Sequence, residues 1–381
     1  MNDSGNNSKI DNSMDNMDNI DNMDMDVQYD DDGNIIVKNK EEVEPEDPED
    51  PLPEVQNPLK KEQIRKYLSN LTKTFSGMSY AFTTFNCSEK EIDEFNDILA
   101  DFIHLRDVNI SKNKIPFVKG IQNMTHLYRF DGRENDLREI SCFSDAEKFK
   151  FIQLLYLSQN KIRILPALYM DNLIELHLDN NQIKNATQFS VGLKKVKFIN
   201  LSNNKLKSCD GISNCPNLEK LMLNDNEIKT FKGLENMPKL EIFEVSNNKI
   251  EKIDINLNFP KLSKINISGN QVGNLKEFNN LKFPNIKDLI CSGNPCIDEV
   301  GGGAKMEMLI IFEGFDLKTV NEEEVVADDI KEAMEKKEER IRIAEEERIQ
   351  REKEEAERKE VSQFNLSKKE LKEKLKKKRK E

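Results

Sequence analysis

The sequence predicts an α/β solenoid, a stack of short units that each contribute one strand and one compact return segment. Two observations carry this. The frame L-x-x-L-x-L-x-x-N-x-L recurs with its asparagine at Asn113, Asn135, Asn160, Asn181, Asn204, Asn226, Asn248, Asn270 and Asn294, in steps of 22, 25, 21, 23, 22, 22, 22 and 24 residues. Within each frame the apolar spacing is two at the L-x-L pair and about three in the return segment, the mark of a strand and then a tight helical return. A repeat of this length and pattern is a leucine-rich repeat.

The frame has a physical logic, clear in "LEKLMLNDNEI" (218–228). Leu221 and Leu223 point inward from a short strand, and stacked strands form one parallel sheet on the concave side. Asn226 enters the turn that leaves the strand. Its amide both donates and accepts, so it can satisfy backbone groups that the turn would otherwise bury unpaired. In the return "KTFKGLENMPK", Phe231, Leu234 and Met237 reach the core at every third residue, which favours 3₁₀ or short helical turns on the convex side over a full α-helix. Glycines 120, 211 and 233 recur before the central apolar residue of the return, as tight backbone turns require.

The segments flanking the repeats differ from them and from one another. Residues 1–58 hold 18 Asp and Glu against 3 Lys, a net of −15, so that the rest of the chain, with a total of −13, is net +2. Low complexity, one sign of charge and prolines predict a disordered acidic leader. In 59–79, Ile64, Leu68, Leu71 and Phe75 lie on one helical face, which predicts a helical cap over the first core layer. Repeats fill 80–300, opening with a degenerate copy, "FTTFNCSEKEI", that has Lys90 in place of asparagine. Residues 301–321 form a C-terminal cap in which Met306, Met308, Leu309, Ile311 and Phe312 close the last repeat, after a loop at 301–303. Residues 322–381 read as a long charged helix with acid-to-base pairs such as Glu338–Arg342 and Glu347–Arg351, no clean heptad and a basic end.

Motifs for chemistry are missing. His104, His126 and His177 fall in different repeats without ligand spacing, and Cys209 and Cys215 have no second pair, so no metal or other cofactor is expected. "QYDDDGNIIVKN" (28–39) resembles a calcium loop only in its centre, since Gln28 and Asn39 occupy the outer ligand places. There is no phosphate-binding loop, nucleophile elbow or HExxH. No small-molecule substrate, nucleic acid or membrane partner is expected: the basic end lacks interleaved aromatics and no apolar run reaches about 18 residues. The N-terminus shows no secretory pattern, which points to reduced cysteines in the cytoplasm. The chain reads as a protein-binding module, not an enzyme.

The binding surface is expected on the concave sheet, at the residues between the inward leucines. Lying six, four and two places before each asparagine, they form three columns. Leu154, Tyr156, Phe198, Met222 and Ile242 predict an exposed apolar patch, with Arg129, Arg133, His177 and Lys220 around it, and such a patch marks a protein contact.

Three less repetitive stretches carry a resemblance. "LTKTFSGMSYAFTTFNCSEKEIDEF" (71–95), "FIHLRDVNISKNKI" (102–115) and "GNPCIDE" (293–299) are similar to segments of the leucine-rich repeat-containing protein 23 family. The resemblance spans about residues 60–325 and departs from the family at 301–303, at "KMEML" and in the long tail. It implies a non-catalytic radial-spoke component of the ciliary axoneme, a cytoskeletal location and other spoke proteins as partners. The repeat type also resembles the leucine-rich regulatory subunits of protein phosphatases, and the alternative it implies is a phosphatase held on the concave face.

Overall fold

The computed structural model describes residues 51–378, apart from 75, 146, 191, 192 and 255, together with the residue pairs 28–29 and 35–36. The chain divides into Met1–Pro53 and Glu54–Glu381. In the first unit β1 (Gln28–Tyr29) and β2 (Ile35–Ile36) pair antiparallel. The rest of 1–50 lies outside the described residues, so the expectation of disorder there, and the calcium-like stretch at 28–39, fall largely outside them too.

The second unit is the solenoid. Among the described residues its sheet has 13 strands in chain order. A hairpin of β3 (Leu68–Lys73) and β4 (Tyr80–Asn86) opens it. Then come the repeat strands: β5 (Asp107–Asn109), β6 (Arg129–Asp131), β7 (Leu154–Tyr156), β8 (Glu175–His177), β9 (Phe198–Asn200), β10 (Lys220–Met222), β11 (Ile242–Glu244), β12 (Lys264–Asn266) and β13 (Asp288–Ile290). A second hairpin, β14 (Thr319–Val320) with β15 (Glu323–Glu324), closes it. Pairing is parallel from β4 to β14 and antiparallel within the two end hairpins. In each three-residue repeat strand the middle side chain, such as Leu221, is buried, while its neighbours Lys220 and Met222 line the concave face.

The asparagines form the expected ladder. Asn226 Nδ2 donates to Leu223 O and Asn224 O of its own turn at 3.0 and 3.1 Å, and to Leu201 O of the preceding repeat at 3.0 Å. Its Oδ1 accepts from Leu206 N at 3.0 Å. Each repeat asparagine from Asn113 to Asn294 is buried and bonds in the same manner. Before each asparagine stands a residue in the left-handed region: Lys112, Glu134, Gln159, Asn180, Asn203, Asp225 and Asn247, then Gly269 and Gly293. On the convex side 3₁₀ turns recur, including Ile121–Asn123, Ser141–Phe143, Ile212–Asn214 and Leu275–Leu281. Gly211 and Gly233 start their returns at φ +91° and +93°. A Cβ there would lie 2.4 Å from Ala186 O and 2.6 Å from Cys209 O, so neighbouring repeats can close only over glycine.

The N-terminal cap corrects the expectation of one helix over 59–79. A 3₁₀ turn (Lys61–Gln63) and one helical turn, α1 (Ile64–Tyr67), bury Ile64. From Leu68 the chain is extended, because pairing with β4 satisfies its backbone and continues the sheet, and this outweighs the helical spacing. Phe75 is outside the described residues. The solenoid also begins before 59: Asn57 Nδ2 donates to Lys90 O and Glu91 O at 3.0 and 3.1 Å.

At the other end Asn294 precedes α2 (Pro295–Val300), with Pro295 at the first helical position, where its missing N–H is harmless. Residues 301–303 are a 3₁₀ turn joining α2 to α3 (Ala304–Ile311), not a loop. Met308, Leu309 and Phe312 are buried over the last repeat. Then α4 (Ala327–Lys378) runs for 52 residues, about 78 Å at helical rise. Its start packs on α3 through buried Ala333 and through ion pairs of Lys305 with Asp329, Lys337 with Glu313 and Arg340 with Glu307. From Ile341 to Ser362 every side chain is exposed. No helix of the described residues is long and apolar enough to cross a membrane.

Candidate functional site

The concave face takes its geometry from the strand register. Parallel pairing aligns Arg129 with Leu154, Leu154 with Glu175, Glu175 with Phe198, Phe198 with Lys220, and Lys220 with Ile242. The second column aligns Asp131, Tyr156, His177, Asn200, Met222 and Glu244 likewise. Neighbouring strands are about 4.8 Å apart, so consecutive side chains in a column touch.

Six of the expected residues join into one ladder. The Arg129 and Arg133 guanidinium groups lie 5.3 and 5.2 Å from the centre of the Tyr156 ring. The Tyr156 and His177 rings meet edge-on at 4.8 Å, and His177 meets Phe198 at 4.7 Å. Lys220 Nζ then sits 5.4 Å from the Phe198 ring centre. Cations thus stand at both ends of an aromatic run, where ring faces attract them. Leu154 lies in register beside this ladder, while Met222 and Ile242 extend the face along β10 and β11. The apolar members are half-buried, not exposed as the sequence suggested, because each is flanked by its column neighbours.

Carboxylates that sequence reasoning passed over hold the ladder in place. Asp131, with its side chain only 1% exposed, accepts from Arg129 at 2.7 Å and from Arg133 through Nε at 2.9 Å and Nη2 at 2.7 Å. Arg129 also donates to Asp107 at 3.0 Å. The hydrogen bond to Asp131 raises the Arg133 pKa further, so this arginine is a fixed cation. The signal was present in "RFDGR" (129–133), which puts an acid between two bases at strand spacing. On β8, Glu175 accepts from the Tyr156 hydroxyl at 3.1 Å and lies 3.4 Å from His177 Nε2. Burial, then the Glu175 charge, pushes the Tyr156 hydroxyl pKa up, and burial pulls His177 down. Around neutral pH these two rings are therefore uncharged contact surfaces. Asp179 accepts from Ser158 at 2.6 Å and Asn200 at 3.0 Å.

The other chemistry-bearing groups are inert or scattered. Burial raises the thiol pKa of Cys87, Cys142, Cys215 and Cys291 to about 12, and raises Cys209 and Cys296 as well. His104 and His126 lie 6.2 Å apart by ring centre, away from His177, with His126 stacked on Phe151. Among the described residues no group of three or more His, Cys, Asp or Glu could hold a metal ion. The arrangement offers a rigid, polarised surface for contact with another macromolecule.

Comparison with known proteins agrees with the repeat fold. The family described as Leucine Rich repeats (2 copies) matches residues 194–236. Leucine-rich repeat-containing protein 23 of Homo sapiens is 28% identical over 160 residues, 42% of this chain and 43% of that protein. Its Bos taurus counterpart is 27% identical over 195 residues, 44% of this chain and 54% of that protein. The match thus spans about half the length of these relatives. Among solved structures, a Leptospira interrogans leucine-rich repeat protein superposes with a TM-score of 0.53 at 22% identity, covering 62% of this chain and 60% of that one, a likeness of fold alone. The chain has a leucine-rich repeat fold and is similar in sequence to the proteins named leucine-rich repeat-containing protein 23.

Proposed function

We propose that this protein is a non-enzymatic scaffold subunit of the ciliary axoneme, a radial-spoke component whose concave face grips a neighbouring spoke protein. The observation that carries the binding part is the unbroken run Arg129/Arg133–Tyr156–His177–Phe198–Lys220 across five adjacent strands. Such a run is rigid and amphipathic, and aromatic and arginine side chains dominate binding energy at protein interfaces. The placement in the spoke rests on the relatives and on the resemblance of residues 71–115 and 293–299.

Fractionation of motile cells tests it. The protein should stay with detergent-extracted axonemes, and radial-spoke proteins should co-purify with it. Phe198→Asp and Tyr156→Asp should each abolish that recovery while the folded content stays unchanged. A protein found wholly in the detergent-soluble pool would defeat the spoke assignment. A phosphatase catalytic subunit recovered instead, and lost in the same variants, would favour the regulatory reading.

A further inference from the structure

The N-terminal hairpin carries a second surface, separate from the ladder. Register places Leu71 opposite Phe82 and Lys73 opposite Tyr80. Two residues from Phe82, Thr84 aligns with Asp107 of the first concave column, so this face continues the concave side outward. Its apolar side chains are exposed: Leu71 by 58%, Tyr80 by 64%, Phe82 by 42%, and Met78 at the hairpin tip by 92%. Lys73, paired with Tyr80, is exposed on β3, as are Lys60, Lys61, Arg65 and Lys66 in the turns that lead into it. None of these five forms an ion pair among the described residues, and Glu62 is the lone acid between 59 and 86. Elsewhere in the solenoid some surface lysines are paired, as Lys112 is with Glu89 and Lys249 with Glu227. Finally, β3 ends the sheet and has a strand neighbour on one side only among the described residues.

An open strand edge, an apolar face and unpaired cations together specify a partner. We propose that this hairpin docks an extended acidic segment of another protein, added as a further strand on β3. Main-chain hydrogen bonds would join the edge, as in other strand-addition complexes. Leu71 and Lys73 share one face of β3, so on that face the segment would place an apolar side chain beside Leu71 and, two residues along, a carboxylate beside Lys73, with Phe82 and Tyr80 of β4 backing the two positions. The opposing view is that these lysines guard an exposed edge against association, and the two views predict opposite results.

The probe is a fluorescent peptide about ten residues long, enough to span an average strand, that repeats Glu-Val-Glu-Glu so that valine and glutamate alternate along one face; it is titrated into the full-length protein by anisotropy. Saturable binding is expected, falling about tenfold or more when salt is raised to about 0.5 M. The pair Lys66→Glu with Lys73→Glu should weaken it comparably. Phe82→Ser should do the same, and a peptide with a central proline should not bind. All these variants change exposed side chains, and an unchanged melting curve confirms that each is folded. Phe198→Asp should leave peptide binding intact, which separates this surface from the concave ladder. Absence of saturable binding, or equal binding by the same peptide with lysine in place of every glutamate, would overturn the proposal. So would concentration-dependent dimers that disappear with Phe82→Ser, which would assign the face to a second copy. Carbodiimide cross-links from Lys66 or Lys73 to residues 1–50 within one chain, without peptide binding, would also overturn it.

Discussion

At the scale of single residues, the asparagine was fully legible and the residue before it was not. The amide of Asn226 does what its donor and acceptor inventory demands, joining two repeats through four hydrogen bonds. Asn226→Ala leaves those buried groups unsatisfied and should lower stability by about 1–3 kcal/mol, read by denaturant unfolding, whereas Lys220→Ala should leave it almost unmoved. The preceding position was invisible as a rule because its identity varies: Asn, Asp or Gly in the later repeats, but Lys112, Glu134 and Gln159 in the early ones. All adopt positive φ, and only the later residue types suit it. Gln159→Gly should therefore raise stability by about 0.5–1 kcal/mol, the left-handed penalty less the entropy glycine loses on folding. Asp131 was hidden for a different reason: a carboxylate on a strand reads as surface until two arginines are seen to cover it. His177 gives a pH test. Its folded pKa lies below the usual 6.5, chiefly through burial, against the opposing pull of Glu175 and Asp179. The unfolded chain therefore takes up the proton first, and stability contributed by the neutral ring falls as pH drops below about 6.5 and on through the folded pKa. Acid titration of thermal stability should show a shallower loss for His177→Gln than for the parent chain.

At the scale of elements, the repeats were readable because their period is dictated by stacking, while the ends had to be settled by what each terminal layer pairs with. Ile64, Leu68 and Leu71 keep a helical spacing, yet only Ile64 and the residues beside it are helical. Strand pairing competes with helix at a sheet edge, and spacing in one segment cannot weigh a partner elsewhere in the chain. The same holds at 301–303, where three glycines suggested a loop but the backbone bridges two short helices. The joint between α3 and α4 is apolar at Ala333 and ionic around it. Exposed ion pairs contribute little each, so the packed alanine should decide the joint. Ala333→Glu should release the start of α4 and speed amide hydrogen exchange in Ala304–Ile311. The global melting temperature should shift little, since the repeats do not depend on α4.

At the scale of the whole solenoid, each repeat touches its neighbours alone, so stability is a chain of nearest-neighbour terms. Loss at one end should spread inward and fade. Phe312→Ala, removing a buried ring from the C-terminal cap, should cost the cap about 3–5 kcal/mol. Amide exchange should then rise in β12 and β13 before β5 to β7 respond, and equal loss throughout would show the array unfolds as one block. The long helix has a mechanical consequence. Among the described residues it is held only near its start, and its residues beyond Arg340 act as a lever on the order of 57 Å long. A tilt of about 5° at the anchor would carry the far end sideways by about 5 Å. Small strains in the C-terminal cap would thus become displacements the size of a side chain, and a neighbour bound at the tip would feel the cap bend.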